Sequence, residues 1–232
     1  MQDRKIVSPA EWRQAREALL AEEKEFTRLR DKLSARRCEL PWERVEKSYV
    51  FEGPRGPETL ADLFAGRSQL IVQHLMYPPE WENPCKSCSF WADQHDAIMP
   101  HLNARDVTLV AVSRAPLARI EAFKQRMGWK FHWASCARND FNYDFHTSFW
   151  PDDLAAGPVD YNYRELKTGM TDLPGYSVFT RGQGADVFHT YSCYARGLDM
   201  LNAAYHFLDI APKGRDESGS HPMAWVRHHD AY

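Results

Sequence analysis

The stretch that most constrains this chain runs from Ser68 to Cys88. It opens with SQLIVQHLMY, a nearly continuous apolar run, halts at Pro78-Pro79, and soon reaches PCKSC. Apolar residues without alternation mark a strand buried on both faces, in the middle of a sheet covered on either side. After the cysteines, SFWADQHDAIMPHL has helical spacing at Phe90, Ile98 and Leu102. The two thiols therefore fall at a strand-to-helix junction. Their spacing puts Cys85 at the helix start and Cys88 on the same side, one turn deeper.

The same grammar repeats downstream. DVTLVAVSRA is a second buried strand. PLARIEAFKQRMG is a helix with Leu117, Ile120, Ala122 and Phe123 on its apolar side and Gly128 as its stop. WKFHWAS is a short strand, and residues 137–172 read as loops with short helical pieces. GYSVFTRGQGADVFHTY is a β-hairpin bending at Gly182 and Gly184, and GLDMLNAAYHFLDI is a closing helix. Upstream, Tyr49-Val50-Phe51 forms a short strand, Gly53 to Pro57 a turn, and Thr59 to Phe64 a short helix. A parallel βαβ unit followed by a hairpin and a helix is the order of a thioredoxin-like α/β fold, a central mixed sheet flanked by helices.

A long helix precedes this domain. Ser8 caps it, Pro9 fits its first position, and Glu11 closes a capping box. Trp12, Ala15, Leu19, Phe26, Leu29 and Leu33 form one stripe, interrupted at Glu22, and Pro41 ends the region. Such a stripe serves either a helix laid against the main domain or a homodimer arm with a short coiled-coil seam. The expected organisation is a helical extension over 1–44, a thioredoxin-like domain over 45–212 and a polar tail over 213–232.

Composition narrows the partners. With 29 Lys and Arg against 32 Asp and Glu, no face is forced to be strongly basic, which argues against nucleic acid. No run approaches the ~20 apolar residues that span a bilayer, and MQDRKIVSPAEW lacks the apolar core of a secretory signal. The expected compartment is the cytoplasm, where a close thiol pair is redox-active or metal-binding more often than structural.

At a helix start, Cys85 would be the more acidic thiol and the nucleophile, with Cys88 placed to resolve a mixed disulfide. The expected activity is thiol–disulfide exchange on an oxidised protein or small thiol, with no cofactor. Two other readings use the same residues. One is a copper or zinc site of Cys85, Cys88, His95 and His189, donors suited to either metal. The other is a protein-binding domain without chemistry. Lys86 could steady a Cys85 thiolate or point to water. Glu82 and Asp93 are candidate proton acceptors for Cys88. Trp81 and Trp91 wall a groove or pack, Tyr191 and Tyr194 flank Cys193, and RHHD at 227–230 reads as solvated tail. Cys38, Cys136 and Cys193 read as small buried residues.

The long N-terminal helix, TLADLF, LIVQHLMY, CKSC and VFHTYSCYARGLDMLNAAYHFLD together resemble a bacterial thioredoxin-like family catalogued as a domain of unknown function, over nearly the whole chain. More distantly, GPRGPETLADLFAGRSQLIVQ and VTLVAVSRAPLARIEAFKQRMGWKF resemble peroxiredoxins and other alkyl-hydroperoxide-reductase-like proteins. The resemblance implies a thioredoxin-like fold. It also implies a cis-proline before the hairpin, for which Pro174 is the candidate. Thioredoxins usually carry Trp before the first cysteine and Gly-Pro between the two; here Pro84 precedes Cys85 and Lys86-Ser87 intervene. Peroxiredoxins place Thr three residues before the reactive cysteine. Glu82 holds that position here, which argues against direct peroxidase activity.

Overall fold

In the computed structural model, residues 5–184, 186–217, 219 and 222–232 are described. The chain divides into two compact units, Met1–Pro41 and Trp42–Tyr232. The first is built on one helix, α1 (Pro9–Cys38), whose capping box forms as expected: Ser8 Oγ accepts from Glu11 N, and Glu11 accepts from Ser8 N. None of its residues is buried, Cys38 included. The expectation that Cys38 is a small buried residue fails because it sits on the last turn of a solvated helix.

The second unit begins with β1 (Glu43–Arg44), β2 (Val50–Gly53), β3 (Gly56–Thr59) and β4 (Gln69–His74). Next come α2 (Lys86–Ala92), α3 (His95–Asn103), β5 (Val107–Ser113), α4 (Leu117–Met127) and β6 (His132–Ser135). Short pieces fill the loop region: α5 (Phe141–Asp144), α6 (Pro151–Ala156), β7 (Val159–Asp160) and β8 (Glu165–Leu166). The hairpin is β9 (Gly175–Arg181) with β10 (Val187–Tyr194), and α7 (Ala203–Ile210) follows.

Eight strands form one sheet in the order β1-β10-β9-β4-β5-β6-β2-β3. β4, β5 and β6 are parallel, with α2, α3 and α4 in the crossovers; β9 joins the other edge of β4 antiparallel. This parallel core with an antiparallel hairpin on its far side is the thioredoxin-like fold. β4 reads as a continuous apolar run because both its faces are covered. Leu70 and Val72 pack with Val110, Val112, Phe141 and Phe179 on one face. The other face, with Ile71 and Ala111, lies under the helices that bring in Trp91, Ala92, Ile120 and Phe123.

Three elements depart from the expected spans. The helix after the cysteines is two helices, broken at Asp93-Gln94. The closing helix is a 3₁₀ stretch, Ala195–Leu201, followed by α7, whose start is capped by the Asn202 side chain accepting from Tyr205 N. The RHHD segment is solvent-exposed at Arg227, His229 and Asp230, as expected, but it is anchored by side-chain contacts. Val226 is fully buried, Arg126 grips Asp230 through two bonds of 2.7 and 3.0 Å, and the His228 ring meets Phe123 edge-on at 5.0 Å. Aromatic and charged residues of α4 give this polar-looking segment partners that the segment's own composition does not reveal.

Candidate dithiol site

The two cysteines are held by the last turn of chain beyond β4. Cys85 is the N-cap of α2, and its backbone N–H donates to the Met76 carbonyl at 2.9 Å. Its own carbonyl accepts from Ser89 N and Ser89 Oγ, both at 2.9 Å, which ties the first turn of α2 together. Cys88 lies one turn deeper in the core, packed among Leu75, Met76, Tyr77 and Ala92. Gln73 of β4 reaches across to donate from Nε2 to the Cys88 carbonyl at 3.0 Å, a bond buried in the interior.

Burial differs sharply within the pair. Cys85 is half-buried, while Cys88 is 4% exposed. Both are free thiols. The Cys88 S–H hydrogen-bonds the Cys85 sulfur, and backbone N–H groups of Cys88 and Ser87, with the Ser87 hydroxyl, point at the same atom. Together they outweigh burial and bring Cys85 down to about 6. Cys88 moves the opposite way, well above an ordinary thiol, through the same S–H···S bond, then burial, then the Cys85 charge; the Met76 backbone N–H opposes this rise. One proton is thus concentrated on the buried sulfur and removed from the accessible one.

Two loops frame the pair. In the register of the sheet, His74 stands opposite Val112 on β5 and Gly175 on β9. Arg114 follows β5 just beyond this level, and Asp172 precedes β9. Arg114 donates from Nε to Asp172 Oδ1 at 2.8 Å and from Nη1 to the Tyr143 hydroxyl at 2.9 Å. Ser148 Oγ donates to the same Asp172 oxygen at 2.7 Å, while Asp172 Oδ2 is buried without a partner. Burial raises the Asp172 carboxyl, with Arg114 pulling it down, and the Asp172 charge adds to the rise of Cys88. The sequence offered one signal for this pair, an arginine at the end of the apolar run VTLVAVS. Gln73, Ser87 and Asp172 gave none.

The other candidates fall elsewhere. The Cys85–Cys88–His95–His189 set does not assemble. The break at Asp93-Gln94 takes His95 off the cysteine helix, and its Nε2 shares a hydrogen bond with Tyr176 Oη at 3.1 Å. His189, on β10, engages Ser192 Oγ and Glu43. Among the described residues, no group of three or more His, Cys, Asp or Glu is placed to hold a metal ion. Lys86 donates to the Ala224 carbonyl at 3.1 Å. Asp93 accepts from Trp129 Nε1 at 2.9 Å and pairs with His229. Glu82 is exposed. Trp91 is buried, its indole N–H donating to Leu198 O, so it packs and walls no groove. Cys136 and Cys193 are buried, as expected. Tyr194 is buried beside Cys193, its hydroxyl donating to Phe145 O. Pro174 is not a cis-proline: no cis peptide bond occurs among the described residues. No helix among them is long and apolar enough to cross a membrane.

Comparisons with solved structures return peroxiredoxins. A peroxiredoxin Q from Xanthomonas campestris is 13% identical, covering 73% of this chain and 97% of its own, with a TM-score of 0.49. Peroxidoxin BcpB from Mycobacterium tuberculosis is 12% identical, covering 71% and 94%, also at 0.49. The mitochondrial 2-Cys peroxiredoxin from Plasmodium falciparum is 11% identical, covering 72% and 92%, at 0.41. No curated protein matches the chain. A family profile described as "Bacterial protein of unknown function (DUF899)" matches residues 1–232, and the chain belongs to that family.

Proposed function

We propose that this protein is a thiol–disulfide oxidoreductase working through Cys85 and Cys88. One observation carries the reading: Cys85 is the half-buried N-cap of α2 and Cys88 lies buried one turn deeper, which makes Cys85 the more acidic thiol and Cys88 the less acidic one. That division suits attack followed by resolution. The Cys85 thiolate attacks one sulfur of a substrate disulfide, forming a mixed disulfide and expelling the other sulfur as a thiolate. Cys88 then loses its proton and attacks Cys85 Sγ, releasing the second substrate thiolate. Two cysteine thiols become one disulfide as the substrate disulfide takes up two electrons. Run backwards, the same steps oxidise a dithiol.

The substrate class is an oxidised protein or small thiol. A reducing compartment such as the cytoplasm would return the pair to the dithiol form. The test is equilibration of the protein in glutathione buffers, with the Cys85–Cys88 disulfide followed by mass. Reversible interconversion with a defined midpoint is the expected result. Cys88→Ala should then accumulate a mixed disulfide on Cys85. A pair that never oxidises, or a Cys88→Ala protein that traps nothing, would overturn the proposal.

A further inference from the structure

The apolar stripe of α1 follows a strict seven-residue repeat. Trp12, Leu19, Phe26 and Leu33 occupy one heptad position, and Ala15, Glu22, Leu29 and Arg36 fill the companion position. The large residues are solvent-exposed, Trp12 at 61% and Phe26 at 66%. The 30-residue helix buries none of its residues, so the seam is not covered within its own unit.

Charge identifies what fits it. If two copies of α1 lay parallel, each heptad layer would meet itself, setting Glu22 against Glu22 and Arg36 against Arg36 of the second copy. Antiparallel pairing about a two-fold axis near Leu20 and Ala21 avoids both clashes. Trp12 then meets Leu29, the small Ala15 faces the large Phe26, and Leu19 meets Glu22 of the second copy. The flanking positions become complementary: Arg16 faces Glu23, and Glu11 faces Lys32, each twice by symmetry. Arg16 already bonds Glu23 within the chain at 2.7 Å, so the two copies would merge these pairs into one alternating network.

We propose that α1 is an antiparallel, self-complementary docking surface for a second copy of this chain. Glu22 is the one misfit, a carboxylate against Leu19, and it holds the association to a reversible strength.

Sedimentation of the full chain across the micromolar to millimolar range tests this, with circular dichroism to confirm that each variant folds. A monomer–dimer equilibrium is expected for the native protein. Phe26→Glu should abolish it, and Glu22→Leu should tighten it. Lys32→Glu, which would face Glu11, should weaken it about tenfold. The exchanged pair Arg16→Glu with Glu23→Arg should leave it unchanged. A monomer at every concentration, or a dimer indifferent to Phe26→Glu, would overturn the proposal. So would a dimer strengthened by Lys32→Glu, because in a parallel pair Lys32 faces Arg37 of the second copy.

Discussion

Arg114 donates to the buried Asp172 carboxylate at 2.8 Å, and the charge of that carboxylate adds to the rise of Cys88. The ion pair joins the ends of β5 and the β9 approach across the sheet.

Its removal should be costly in a pH-dependent way. Arg114→Met leaves the Asp172 carboxyl buried without its cation, a change that typically costs about 3–5 kcal/mol. Burial already raises Asp172, and losing Arg114 raises it further. The folded state then holds a proton that the unfolded state releases, so stability should fall as pH rises. Urea titrations between mildly acidic and mildly alkaline pH should show a deficit that widens upward. Arg114→Met combined with Asp172→Asn should recover much of it.

Cys85 alkylation should follow a titration with its midpoint near 6, set first by the Cys88 S–H bond. Cys88→Ala removes that donor and should move the midpoint towards the ordinary value of about 8.5. Cys88→Ser keeps an O–H donor and should move it less. Iodoacetamide rates against pH for the two variants provide the measurement. Equal midpoints would show that the S–H···S bond does not set the acidity.

Hydrogen peroxide should oxidise Cys85 slowly, at the rate of an ordinary thiolate. Three residues before Cys85 stands the exposed Glu82, so no hydroxyl is offered at that position. Stopped-flow oxidation should be linear in peroxide concentration. Replacing Glu82 with Thr tests whether a hydroxyl there accelerates it.

Acid should destabilise the fold through two interior histidines. Burial lowers His74 to about 4 and His95 to about 3. Asn142 Oδ1 accepts from His74 Nδ1, so Nδ1 carries the proton of the neutral ring and Nε2 accepts from Ser177. Unfolding lets each ring bind a proton near its ordinary pKa of about 6.5. Stability is therefore complete above that value and declines as pH falls towards 4, by roughly 3 kcal/mol for His74 alone. Chemical denaturation between pH 7 and 4 checks this, and His74→Gln should flatten the decline.

Local patterns were readable where one segment contains the whole signal. The run SQLIVQHLMY announced a doubly covered strand, and the cysteine spacing announced two thiols on one turn. Arg114 and Asp172 are 58 residues apart, and only the pairing of β4 with both β5 and β9 brings their loops together. His95 was misplaced because nothing in WADQHD declares the break that separates α2 from α3. The exposure of the tail was legible but its anchoring was not, because polarity says nothing about the partners a distant helix supplies, here Arg126 and Phe123 of α4.

The Met76 peptide has a different kind of consequence. Its carbonyl receives Cys85 N–H, while its N–H is directed at the Cys88 sulfur. The carbonyl survives every exchange of the residue, and the N–H survives every exchange except that for proline. A comprehensive substitution scan would record position 76 as a matter of side-chain volume and miss its part in the chemistry. That part would be isolated by backbone editing, such as an amide-to-ester replacement that deletes the N–H and, unlike proline, leaves every side chain in place.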